Sequence, residues 1–381
     1  MMKLSERSIR LHEVAEWNLA QVFRCVADDM QAVEEHLAAT LRDTKDVVVR
    51  QIVDFLLESP GKRIRPALVL LSARAAGAAG NGPARPKLAW INVAAAAELI
   101  HMASLVHDDL IDNGKIRHHR ATIHAKWGRK VSVFLGNHLC AKALQLVAAC
   151  ADPRLFGILG SQLCAMCEGE IQQVLGRGDF QMSARRCLAM TEKKTAALFS
   201  ACSGAGALAA TGEPTACKAL QEFGLHFGIA FQILDDCRDL LSDEKGLGKT
   251  PGQDLLAGDV TLPLLYVLRQ CRRGTEPGPG SQTRQIGFGD PSQTHKSAFG
   301  SPTPRADRAP RLRTTVGTRK LVRMSEALLS SPVPIRIARV VASHVDRAKQ
   351  GLQSLAESNY RDSLGQLADH VAAWASGILA R

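Results

Sequence analysis

Through most of the chain, apolar residues recur every three or four positions. The segments "EWNLAQVFRCVADDMQAVEEHLAATL", "RDTKDVVVRQIVDFLLES" and "KKTAALFSACSGAGALAA" all carry this spacing, which one face of an α-helix produces. Alternating apolar and polar runs, the mark of a half-buried strand, are almost absent. Breaks fall at Pro60-Gly61, Gly80 to Pro86, Gly176 to Gly178, Gly212 to Pro214 and Gly246 to Gly252. Between them the pattern predicts roughly ten or more helices, several exceeding about twenty residues, packed as one all-α domain spanning residues 1–381.

One stretch lacks any period. Residues 272–320, "RRGTEPGPGSQTRQIGFGDPSQTHKSAFGSPTPRADRAPRLRTTVGTRK", are rich in Gly, Pro, Ser and Thr and offer no apolar face. They read as a flexible insertion in the C-terminal third of the domain. The segment holds ten Lys/Arg against three acidic residues, so it carries +7 of the chain's net +11. Such charge suits weak peripheral contact with anionic lipid headgroups. No stacking aromatics or recognition motif accompany it, which argues against nucleic-acid binding.

Composition reinforces the helical reading. Hydrophobic residues make up 46% of the chain and aromatics only 4%, a balance set by Ala and Leu, which favour helix over sheet. The ten cysteines are irregularly spaced, as in a reduced protein, and the close pair Cys164 and Cys167 has no second CxxC or CxxH to complete a zinc site. The start, "MMKLSERSIRLHEVAEW", has no apolar core with a cleavage site, and the long apolar run "LAWINVAAAAELIHMASLVHDDL" contains Glu98 and His101. The expectation is a soluble cytoplasmic protein.

That apolar run ends in "LVHDDLIDNGKIRHHR", with Asp108, Asp109 and Asp112 just before Asn113-Gly114, a helix-stop signal. Carboxylates in the last turn of a helix add to the negative end of its dipole, and Asp108 and Asp112 repel on one face. The same DDxxD pattern returns in "FQILDDCRD" as Asp235, Asp236 and Asp239, again after an apolar helical run. Helices with apolar faces must pack together, which can bring both clusters to one rim of a bundle. Oxygen-only ligands of this kind suit magnesium shared with substrate phosphates. A bound divalent cation also reverses the local electrostatics, making the placement sensible. Bases complete the pattern: Lys62, Arg63 and Arg65 at a helix start, Arg117 to Arg120 after the first cluster, Lys193 and Lys194 opening another helix, and Lys249 beyond the second cluster. Together they suggest a site for two polyanions, one on metal and one on Lys/Arg.

On "GKRIRP", "ELIHMASLVHDDLID", "KKTAALFSACSGAGALA", "GIAFQILDDCRDL" and "GLGKTPGQDLLAGDVTLPLLYVL", the sequence resembles the trans-polyprenyl diphosphate synthases of the type I isoprenoid synthase fold. The resemblance covers nearly the whole chain outside 272–320. It implies an all-α bundle around a central cavity and condensation of isopentenyl diphosphate with an allylic diphosphate. It further implies that Asp108, Asp112, Asp235 and Asp239 bind magnesium, about three ions per site, with Asp109 and Asp236 beside them. Arg117, Lys194, Thr195, Gln232 and Lys249 match positions that contact the allylic diphosphate or the cation formed from it. Lys62, Arg65 and His101 match the isopentenyl diphosphate site. A homodimer is usual in the family.

Three departures stand out. His118 replaces the second of two usual arginines, Asn137 occupies a usual aspartate position, and Asp259 a usual lysine position. Product length should depend on the residues below Asp108. The resemblance places the first floor of the cavity at the positions four and five residues before the motif, here Ser104 and Ala103, both small, with Ile100 one turn deeper. An open first floor predicts a product of about six to ten isoprene units, because a helical turn adds roughly 5.4 Å of depth, on the order of one unit. The alternatives are a geranylgeranyl or farnesyl diphosphate synthase, a class I terpene cyclase, and a non-catalytic subunit of a heteromeric synthase. Cyclases carry an Asn/Ser/Glu second motif and such subunits lack the aspartates. A di-iron bundle, suggested by Glu98 and His101, needs a second Glu-x-x-His that the chain lacks.

Overall fold

The computed structural model describes residues 19–58, 61–78, 86–117, 119–241, 252–273, 324, 327–329 and 331–379. Helices α1 (Leu19–Val22) and α2 (Ala27–Arg42) are separated by a 3₁₀ turn at Arg24–Val26, so the run expected as one helix is broken there. Then follow α3 (Val47–Leu57), α4 (Ile64–Gly77), α5 (Lys87–Ile111), α6 (Ile123–Trp127), α7 (Arg129–Ala148), α8 (Pro153–Leu175), α9 (Ala184–Thr191) and α10 (Ala197–Thr211). The chain continues through α11 (Pro214–Leu241), α12 (Gln253–Ala257), α13 (Leu262–Arg273), α14 (Val333–Leu352) and α15 (Asn359–Leu379). The single sheet among the described residues is a two-residue hairpin in which Ile116 pairs with Ala121 and Arg117 with Arg120. Most of the 272–320 insertion lies outside the described residues, although α13 runs to Arg273.

Local signals account for many helix starts. Asp46 caps α3 by accepting from Val48 N at 2.8 Å and Val49 N at 3.0 Å, and Ser183 caps α9 by accepting from Arg186 N at 3.1 Å. Asp152 caps α8 with Pro153 in the first turn.

Helix α10 is the axis of the bundle. Every residue from Ala197 to Ala210 is buried, and α4, α5, α8 and α11 pack around it. Its small residues permit that crowding: a Cβ on Gly206 would lie 2.2 Å from the Val69 carbonyl oxygen of α4. Gly224 of α11 meets the Phe199 carbonyl oxygen at 2.4 Å on the same basis. Outside this axis, α14 buries the stripe Val333, Ile337, Val341, Val345, Ala348 and Leu352 and packs against α11 and α15. All these layers share one continuous hydrophobic core.

A two-residue loop makes α10 and α11 antiparallel, which sets the N-terminal end of α10 beside the C-terminal end of α11. Helix α5 also packs on α10, and its C-terminal aspartates share surroundings with Lys194 at that same end.

Candidate active site

Two acidic helix ends and one basic helix interior meet here. At the end of α5, Asp112 is the C-cap and its N–H donates to the Asp108 carbonyl at 2.8 Å. Asn113 takes the left-handed conformation with φ of 53°, so the predicted stop operates, with Asn rather than Gly as the cap residue. At the end of α11, Asp235, Asp236 and Asp239 occupy the last two turns, with Asp236 and Asp239 buried.

Lys194 joins the clusters. It does not open a helix, as the sequence pattern had suggested. Ser183 starts that helix at α9, and Glu192–Ala196 form a π turn between α9 and α10. Such turns often sit at functional sites because the extra residue redirects side chains. Gly169 of α8 makes room for it, since a Cβ there would lie 2.8 Å from Lys194 N. Lys194 pairs with Glu170 at 2.8 Å. Burial works against its charge, but Asp108 and Glu170 outweigh burial and raise its pKa. Asp108 is pushed up to about 7, first by burial, with Lys194 opposing and Glu170 and Asp112 adding repulsion. Burial also lifts Asp236 to about 7; Gln232 and Lys194 oppose, while Asp235 and Asp239 add repulsion.

Around these groups the predicted side chains assemble into a hydrogen-bonded chain. The Thr195 hydroxyl donates to Gln232 Oε1 at 3.1 Å, and Gln232 Nε2 donates to Asp236 Oδ1 at 2.7 Å. Arg117, on the hairpin, grips Asp109 in a fork: Nε lies 2.9 and 3.0 Å from the two carboxylate oxygens and Nη2 at 2.8 Å. Asp109 is thus held by a cation rather than turned toward its neighbours.

The second basic group lies across the site. Lys62 sits at the exposed rim, its pKa lowered by partial burial and by Arg238 and raised by Asp235. Arg65 stacks 4.6 Å from the Phe199 ring centroid, and its buried Nε has no hydrogen-bond partner among the described residues. A buried guanidinium donor left unpaired beside Asp235 is suited to an incoming anion. Burial, then Arg65, Arg117 and Arg63, push the His101 pKa well below its ordinary value. Arg63 is not part of the anion site. It adopts φ of 51° at the start of α4 and is occupied by ion pairs with Glu34 and Glu98. Glu98 is therefore an internal counter-ion, which removes it from the Glu-x-x-His reading.

Ala103 is buried in α5, and the Ser104 hydroxyl donates to the His101 carbonyl at 2.9 Å. His118 and Lys249 lie outside the described residues.

Three contributors went unassigned in the sequence: Glu170, Gln173 and Arg177. Arg177 pairs with Asp112 at 2.6 Å and with Asp259 at 2.7 Å, while Gln173 donates to Asp259 at 2.7 Å. Their spacing of three and four residues in "EIQQVLGR" is the signal that could have found them.

The donor set fits a hard divalent cation. Among the described residues no three or more of these carboxylates yet stand close enough to hold an ion, since Arg117 and Arg177 occupy Asp109 and Asp112. The donors are nonetheless carboxylate oxygens, and burial pushes Asp108 and Asp236 up to about 7, a state that a cation would relieve. An all-α bundle with two DDxxD helix ends and opposed Lys/Arg groups defines a diphosphate-handling enzyme. The model of the polyprenyl synthetase family matches residues 46–277, and the chain belongs to that family. It is a chain-elongating trans-prenyltransferase.

Component 2 of the Geobacillus stearothermophilus heptaprenyl diphosphate synthase is 40% identical over 254 residues, covering 67% of this chain and 77% of that protein. The Haemophilus influenzae octaprenyl diphosphate synthase is 35% identical, covering 66% and 74%. A polyprenyl synthase from Caulobacter crescentus CB15, solved with calcium and isoprenyl diphosphate, superposes with a TM-score of 0.75 at 27% identity, covering 93% of this chain and 97% of that one.

Proposed function

We propose that the chain condenses isopentenyl diphosphate with an allylic diphosphate, using magnesium, to make a trans-polyprenyl diphosphate of medium to long length. The observation that carries this reading is the meeting of both aspartate clusters around Lys194, opposite Lys62 and Arg65. Asp108, Asp112, Asp235 and Asp239 would hold about three magnesium ions, whose charge stabilises the departing diphosphate. Arg117 and Lys194 sit where they can take up negative charge as the allylic carbon–oxygen bond breaks, and Lys62 and Arg65 hold the second diphosphate. The isopentenyl double bond captures the allylic cation, and the released diphosphate accepts the proton. Buried apolar walls exclude water that would quench that cation.

Small Ala103 and Ser104 below Asp108 support about six to ten isoprene units, at roughly 5.4 Å per helical turn. The heptaprenyl and octaprenyl synthases among the relatives agree with that range. The test is incubation with labelled isopentenyl diphosphate and each allylic diphosphate, followed by chromatography. Geranylgeranyl diphosphate as the end product would overturn the length.

A homodimer is part of the proposal. Phe134 on α7 is 71% exposed and Ile171 and Leu175 on α8 are 59% and 80% exposed, apolar side chains of the kind a second copy would cover. The partner named by "component 2" in a relative is the other outcome: sedimentation of the purified chain as a monomer, with activity only after a second protein is added, would favour it. Cytoplasmic location with weak membrane contact through the basic 272–320 segment completes the reading.

A further inference from the structure

Arg177 lies just past the end of α8, and its position is fixed from several directions. Its Nε donates to Asp259 Oδ1 at 2.7 Å, and its Nη2 reaches Asp112 Oδ1 at 2.6 Å and Asp259 Oδ2 at 3.4 Å. Asp259 is buried, and its second oxygen also accepts from Gln173 Nε2 at 2.7 Å. The two loops are joined by backbone as well, with Gly178 N donating to the Gly258 carbonyl at 2.8 Å. Both glycines take φ near +80°, at 80° and 81°, a conformation side chains resist.

Asp259 occupies a position where the resemblance led to a lysine. A lysine there would set a cation beside the first aspartate cluster. Here the sign at 259 is inverted, and the buried carboxylate instead draws Arg177 to the same place. The charge delivered to Asp112 is thus restored from the loop after α8, by a guanidinium with two usable edges. One edge stays on Asp259 and Gln173 anchors that carboxylate, so the other edge can leave Asp112 without Arg177 leaving the site.

We infer that Arg177 serves as the built-in counter-ion of Asp112: a magnesium ion bound at Asp112 would have to displace it, and the freed edge of the guanidinium would then be available to the diphosphate. The inference rests on the proposed function and deepens it, adding an anion-binding residue and a reason for ordered binding. Because one cation competes with metal and assists diphosphate, its removal should move the two affinities in opposite directions. A merely structural loop lock would weaken both.

The test uses the full chain and two titrations. Manganese alone, followed by electron paramagnetic resonance, reads the metal site without anion. Inorganic pyrophosphate at saturating magnesium, followed by calorimetry, reads the anion site. For Arg177→Gln, manganese should bind about 3- to 10-fold more tightly and pyrophosphate about 10-fold more weakly, the scale of one charge-assisted contact. Arg177→Lys keeps the charge without the fork and should fall between wild type and Arg177→Gln in both titrations, which preserves the test if the glutamine variant misfolds. Asp259→Asn, which leaves Arg177 in place but loosens its anchor, should weaken pyrophosphate binding less than Arg177→Gln does. Parallel loss of both affinities, or wild-type values in the lysine variant, overturns the inference. Wild-type protein that binds neither manganese nor magnesium pyrophosphate would instead overturn the proposed function, and this inference with it.

Discussion

Metal binding should be tightly linked to pH, because Asp108 and Asp236 each sit near pH 7 without a cation. Asp236 is raised from 3.8 to about 7, so the folded, metal-free protein binds its proton more tightly than the unfolded chain does. The stability tied to that proton is fully present below about pH 4 and is lost as pH rises through 7. A shift of about three units corresponds to no more than roughly 4 kcal/mol at about 1.4 kcal/mol per unit. Between pH 5 and pH 8 about 2.7 kcal/mol of it is lost, which with an unfolding entropy of about 2.1 cal/mol/K per residue is a fall in metal-free Tm of at most roughly 3 °C. Magnesium held by Asp108 needs that carboxylate ionised, and a cation on Asp235 and Asp239 would lower the pKa of Asp236 beside them, so binding must expel both protons where they are still held. At pH 6 each group should release roughly 0.9 proton, and at pH 8 roughly 0.1. Calorimetric titration of magnesium pyrophosphate in two buffers of different ionisation enthalpy measures this release, corrected for the protons of pyrophosphate itself. Asp236→Asn should remove about half of the release at pH 6. Release that stays constant from pH 6 to pH 8, with binding intact, would refute the burial argument.

Other outcomes follow from the same geometry. Asp108→Ala or Asp235→Ala should lower turnover by orders of magnitude while circular dichroism stays that of the wild type; full activity in chelator would contradict the metal role. Gly169→Ala sets a Cβ 2.8 Å from Lys194 N and should displace the π turn, reducing kcat more than about tenfold at modest cost in Tm. Arg65→Met keeps bulk over Phe199 but removes the donor, so the KM for isopentenyl diphosphate should rise by about tenfold or more with the KM for the allylic substrate little changed. Ala103→Phe should truncate the product to about three or four isoprene units, since an aromatic there closes roughly one helical turn of depth; an unshortened product places the limiting wall elsewhere.

How much of this was legible in the sequence depends on the range of the interaction. The end of α5 was readable because apolar periodicity, Asn113-Gly114 and the aspartates are contiguous, and Asn113 does take the left-handed cap. That both DDxxD clusters share one end of the bundle was expected from packing logic alone, and Asp108 and Asp236 do both lie near Lys194. Lys194 was expected to open a helix and instead lies in a π turn. Lys193-Lys194 resembles a polar helix start, whereas a π turn lets the helix run on from Ser183, and only the close approach of Gly169 explains why. Arg63 looked like one more anion-binding cation until Glu34 and Glu98, distant in sequence, were found to claim it. Arg177 escaped for the same reason, since Asp259, its partner, lies 82 residues away. Asp259 was noticed as a departure, but a buried carboxylate has no visible purpose until its counter-ion is known.

The most direct measurement of the central claim is product analysis. The purified chain, given labelled isopentenyl diphosphate, an allylic diphosphate and magnesium, should yield a linear trans-polyprenyl diphosphate of about six to ten units, and Asp235→Ala should yield almost none. A cyclised hydrocarbon, or no elongation with any allylic diphosphate, would contradict the account.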